Sequence, residues 1–153
     1  MPAPSRPRRR ALTAAALFAL APAFALGLSG CKEPPLPMPA PDGKEIVAGA
    51  VLAATESSGG IRLYKVVHVD DFPQPIGFEY HLIAFEPKAA DWESVRPLWR
   101  QKKQKLTVFK DHVLVRKLNW LKRDYRVVTV EPVTPEDKVG YERDRTARQS
   151  LGL

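Results

Sequence analysis

The pattern of apolar and polar positions divides the chain near residue 44. Before that point, residues 11–28 (ALTAAALFALAPAFALGL) form one uncharged apolar run, and residues 32–43 (KEPPLPMPAPDG) place five prolines in twelve positions. Beyond it, short stretches alternate with a period of two, the signature of half-buried strands. EIVAGAVLAATE (45–56) and GIRLYKVVHV (60–69) read as two strands that the Ser/Gly turn SSGG joins into a hairpin. In the second strand the alternation places Ile61, Leu63, Val67 and Val69 on one face and Arg62, Tyr64, Val66 and His68 on the other. FEYHLIAFE (78–86) is a third strand, and LTVFKDHVLVRKLNWL (106–121) with DYRVVTVEPV (124–133) supplies two or three more.

Helical signals are few and local. Asp91 can cap a helix in DWESVRPLWRQKKQK, but Pro97 limits it to one or two turns. Thr134 as cap, Pro135 at the first helical position and Asp137 three residues after the cap form an approximate capping box. This opens a polar helix to about Gln149, which Gly140 should weaken. The expected fold is mainly β (α+β): a small antiparallel barrel or roll of five to six strands, with a short helical insertion and a C-terminal helix. Its hairpin start and strand lengths are similar to those of SH3-like barrels, an analogy of fold that carries no function.

Charge changes the picture at the N-terminus. The formal net charge of the 153-residue chain is +7, but Arg6, Arg8, Arg9 and Arg10 fall in the first ten positions and no acid precedes Glu33. Removal of everything before Cys31 leaves 20 basic residues against 17 acidic ones, a net of +3. A basic start (MPAPSRPRRR) followed by the apolar run is the layout of a secretory signal. As a permanent span it is poor, because eighteen residues are at the short end for a bilayer and Pro22 interrupts them.

The run ends in Leu28, Ser29, Gly30 and Cys31, which resembles the lipobox of bacterial lipoproteins: an aliphatic residue, two small ones, then cysteine. The resemblance implies that the Cys31 thiol is linked to diacylglycerol, that cleavage falls just before it, and that the new amino group is acylated. At about 0.8 kcal/mol per buried methylene, two or three long chains anchor stably where one binds marginally. An ordinary peptidase cut after AFA (Ala23–Ala25) would instead release a soluble chain with a free Cys31. Arg9 and Arg10 suggest a twin-arginine signal only faintly, so the general secretory route is favoured. Lys32 is not the aspartate that retains enterobacterial lipoproteins in the inner membrane, so an outer-membrane anchor facing the periplasm is expected. The organisation is then a signal peptide at 1–30, a lipidated cysteine and proline-rich stalk at 31–43, a β domain at 44–133, and a C-terminal helix and tail at 134–153. At about 3.1 Å per residue, the stalk would hold the domain roughly 35 Å from the lipid.

Candidate chemistry is sparse. No glycine-rich phosphate loop, nucleophile elbow or H-E-x-x-H motif occurs, and one cysteine makes neither an intramolecular disulfide nor a thiolate zinc site. No cofactor is expected. Arg96 to Arg126 carries eleven basic residues against Asp111 and Asp124, a net of +9 over 31 positions, with Trp99 and Trp120 interleaved and Trp92 just before. Arg100, Lys102, Lys103, Lys105, Lys117, Lys122 and Arg123 are the candidate surface for an anionic ligand. In an envelope compartment its partner would be an anionic lipid or polymer or an envelope protein, with nucleic acid excluded by location. The bland reading is that these are the solvated faces of strands and that the tryptophans are core. The expected function is that of a membrane-anchored, non-catalytic envelope lipoprotein binding such a partner. One alternative stays open: His68, His81 and His112 with neighbouring aspartates, if strand pairing gathered them, could hold zinc in a small envelope hydrolase. Their spacing along the chain matches no ligand motif.

Overall fold

The computed structural model describes residues 33–40, 42–73 and 77–152; the expected signal peptide and lipobox, with Cys31, lie outside them. Five strands, β1 (Ala50–Thr55), β2 (Ile61–Phe72), β3 (Gly77–Glu86), β4 (Thr107–Arg116) and β5 (Tyr125–Val130), form one antiparallel sheet in the order β4-β3-β2-β1-β5. The mainly β class with short helices is as expected. The sheet is open, with β4 and β5 as its edges, and not a closed barrel. Helices cover both faces, so the apolar sides are buried without the sheet curling onto itself.

Alternation along central β1 sorts the core into two layers. Leu52 and Ala54 join Tyr64, Val66, Tyr80, Leu82, Trp120 and Tyr125 on one face. Val51 and Ala53 join Ile61, Leu63, Val95 and Trp99 on the other. To bring β5 beside β1, the chain leaving β4 must cross four strand spacings, about 19 Å. It does so through α3 (Lys117–Leu121), a stretch whose sequence reads as strand. Trp120 turns that segment inward, fully buried, edge-on to Tyr64 with ring centroids 5.1 Å apart.

On the opposite face lie α1 (Trp92–Arg100), α2 (Lys102–Lys105) and α4 (Val139–Ser150). The first of these exceeds the one or two turns expected, running nine residues through Pro97. Asp91 and Ser94 complete a capping box, and Val95 and Trp99, four apart, bury one stripe. Together these outweigh the one helical hydrogen bond that proline forfeits. Ahead of α4, Thr134 and Asp137 exchange the reciprocal bonds of their capping box at 2.8 and 3.3 Å, opening a 3-10 turn at Glu136–Lys138.

The described part of the proline-rich segment does not stand off from the domain. Leu36 is buried with Val95 and Trp99, the Arg96 guanidinium donates to the Pro34 carbonyl, and Glu33 pairs with Arg100. A proline-rich segment has few N–H donors to leave unsatisfied, so laying it against a helix costs little, and Leu36 fills the gap beside α1 while Met38 stays exposed.

Candidate functional site

Strict alternation places His68 on the face of Tyr64 and Val66. The structure overturns that assignment, because the β2–β3 register shifts between Val66 and His68. This bulge puts an extra residue into β2, so that Val67 and His68 both turn to the α4 face and Val69 joins the layer of Trp120. A second shift, between Leu82 and Ala84, inserts an extra residue into β4 opposite Ile83 and turns both Asp111 and His112 toward α4. The two irregularities gather three histidines from three strands.

Gly140 lets α4 close over them. A Cβ there would lie 2.3 Å from the Asp111 carbonyl oxygen, so only glycine admits this approach of helix to strand. The residue expected to weaken the helix is the one that docks it. Tyr141 then stacks on His68 with centroids 4.7 Å apart and meets His81 edge-on at 4.8 Å. Arg143 grips both oxygens of Asp111 at 2.8 and 2.9 Å.

Inside this cover a polar chain runs across the sheet. Asp70 accepts from Nε2 of His68 at 3.0 Å through one oxygen and from Nε2 of His81 at 2.8 Å through the other. With Nε2 of His81 committed to a carboxylate, its Nδ1 shares a hydrogen bond with Nε2 of His112, 2.8 Å away. The other ring nitrogen of His112, Nδ1, stands 3.9 Å from Oδ1 of Asp144. The second oxygen of Asp144 is buried and pairs with Nε of Arg148, 2.8 Å away. Burial beneath α4 pushes His112 below the ordinary imidazole range; the Asp144 carboxylate opposes this and His81 adds to it.

The basic residues are divided. Arg100, Lys102, Lys103 and Lys105 stand on α1 and α2, ahead of β4; Lys117, Lys122 and Arg123 stand on or just after α3, beyond it. Ten residues of strand, about 33 Å, separate the two groups, and α3 covers the other face. Several charges already have internal partners: Arg100 with Glu33, Lys102 with Glu131, and Arg123 with Glu56 at 3.7 Å. Lys117 lies over Phe78 at 4.9 Å, while Lys103, Lys105 and Lys122 are exposed. Trp99 and Trp120 are buried core residues and offer no platform to a ligand.

Sequence reasoning weighed the three histidines but missed Asp144, Tyr141 and Asp70's position between two imidazoles. The His-x-Asp pair at 68 and 70 is the one local signal that could have pointed there, since i and i+2 share a strand face. No protein-family model, no curated protein and no solved structure matches this chain.

Proposed function

We propose that the chain is a lipid-anchored protein of the bacterial cell envelope whose β domain is a non-catalytic module lying on an anionic membrane surface. The observation that carries this reading is the docked strap: Glu33 is paired with Arg100 at the end of α1, and Leu36 is buried beneath that helix. Cys31 is two residues ahead of Glu33, a reach of at most about 7 Å along an extended chain. A lipidated Cys31 would therefore bring the bilayer to the α1–α2 end of the domain, where Lys103 and Lys105 are exposed and Lys102 is half-buried. Lysines near an anionic surface contribute about 1 kcal/mol each. The Lys117, Lys122 and Arg123 group faces elsewhere and takes no part in this contact. The outer membrane, facing the periplasm, is the expected location, and export follows the general secretory route.

Two results test the reading. The Cys31→Ser chain is expected to keep its uncleaved signal and to carry no lipid, while the native chain is cleaved and lipidated; unchanged processing would remove the lipobox from the account. Unlipidated protein freed of its signal should still bind phosphatidylglycerol vesicles in a salt-sensitive manner. Reversing Lys102, Lys103 and Lys105 to glutamate should weaken that binding by roughly 100-fold, at about 1 kcal/mol per charge lost. Equal binding to neutral phosphatidylcholine vesicles, or none to either, would leave the basic end as an ordinary solvated surface.

A further inference from the structure

The histidine cluster is not used by the membrane reading, and it gathers metal-ligating side chains from three elements. We infer that His81, His112 and Asp144 form a binding site for a divalent transition metal, Zn2+ by the chemistry of its donors, that ties α4 to the sheet. One donor atom from each of the three residues lies within 4.8 Å of the others. Two imidazole nitrogens and one carboxylate oxygen are a donor set that suits Zn2+ in tetrahedral coordination, with a fourth position for water.

Three features distinguish this group from a polar network that merely bridges helix and sheet. First, Asp70 holds the Nε2 proton of His81 at 2.8 Å, which fixes Nδ1 as the free lone pair and orients the ring. A carboxylate behind a ligating imidazole is the usual outer support of such sites. Second, Asp144 is not hydrogen-bonded to His112. Its Oδ1 stands 3.9 Å from His112 Nδ1, beyond a hydrogen bond, while Oδ2 pairs with Nε of Arg148 at 2.8 Å, so Oδ1 is left to turn toward a metal. Third, access and burial are graded: His81 is 3% exposed, while the His112 and Asp144 side chains are 11% and 31% exposed. The inner ligand is dry and the outer ones leave a route for entry.

Small movements complete the site. Donors about 2.0–2.1 Å from a tetrahedral metal stand about 3.3 Å apart. His81 Nδ1 and His112 Nε2, now 2.8 Å apart across the hydrogen bond that the metal would replace, must open by about half an ångström. Asp144 closes from α4 by side-chain rotation. Because His81 and His112 come from β3 and β4 and Asp144 from α4, occupancy would pin the C-terminal helix to the sheet. This assignment does not depend on the lipid anchor.

The test uses the purified full chain in detergent, without a polyhistidine tag, stripped with EDTA and titrated with ZnCl2 by calorimetry. One equivalent of Zn2+ should bind per chain, and Co2+ in its place should give the intense visible absorption of a tetrahedral site. His112→Ala should lower affinity by about 100-fold or more, and Asp144→Asn should weaken it clearly. Asp70→Asn should cost about 10–100-fold while stoichiometry stays at one. His68→Ala, on the far side of Asp70, should leave affinity nearly unchanged. Should His112→Ala fail to fold, the decision passes to Asp144→Asn, whose side chain is partly exposed. No saturable Zn2+ binding by the native chain, or binding that both His112→Ala and Asp144→Asn retain in full, would overturn the inference.

Discussion

Replacing Asp137 by alanine is expected to destabilise the domain by about 3–4 kcal/mol and lower Tm by roughly 10–15 °C. Lys65 points from β2 into the interior under the turn that precedes α4, with its side chain 7% exposed. Its ammonium donates to Asp137 Oδ2 at 2.6 Å and to the Pro132 carbonyl at 2.9 Å. Without the carboxylate, a buried charge keeps one neutral acceptor, and breaking such a pair costs more than the pair is worth. The Thr134 amide also loses its cap. The double variant Lys65→Met, Asp137→Asn should recover most of the loss, since it removes the stranded charge and keeps a side chain that can cap. Denaturant unfolding of the three proteins would decide, and a single variant within 1 kcal/mol of the native chain would sink the argument.

The same pair sets an acid dependence. Burial alone would raise the Asp137 carboxyl, but the Lys65 ammonium and the Thr134 amide outweigh it and hold the group below its usual 3.8. The unfolded chain therefore takes up this proton at a higher pH than the folded one. The contribution of Asp137 is fully present above the unfolded value and is lost as pH falls through the lower folded value. The stability gap between native chain and Asp137→Ala should thus be constant above about pH 5 and shrink below about pH 4.

Gly140→Ala should destabilise the protein by about 2–3 kcal/mol, the reverse of what alanine does in an undocked helix. In a solvated helix the change gains about 1 kcal/mol from propensity. Here the new Cβ would sit 2.3 Å from the Asp111 carbonyl oxygen and 2.7 Å from its carbon, both backbone atoms that cannot rotate away. The helix must lift, which parts Arg143 from Asp111 and Tyr141 from His68 and His81. Hydrogen exchange should accelerate across Val139–Ser150 and at His81 and His112 while β1 stays protected. The sign of the stability change is decisive: a gain would mean that α4 does not pack on β4 at this glycine.

Much of the fold was legible because its signals are local. Period-two alternation located every strand, the Ser/Gly turn located the first hairpin, and Thr134 with Asp137 marked the entry to the C-terminal helix. The misread segments were those in which a distant partner overrides local preference. Residues 117–121 form a helical turn because Trp120 fills the space between Tyr64 and Tyr125, and Leu36 draws the proline segment onto α1.

The sequence by itself determined the antiparallel strands and the cap of the last helix, because each depends on residues a few positions apart. Tertiary structure decided the open sheet, the division of the basic residues into two groups, and the site under α4. His68, His81, His112 and Asp144 are separated by 13, 31 and 32 positions along the chain. What joins them is a bulge in β2, a bulge in β4 and a glycine where helix meets strand. A bulge reverses which face every later residue presents, and it becomes visible only once strands are paired.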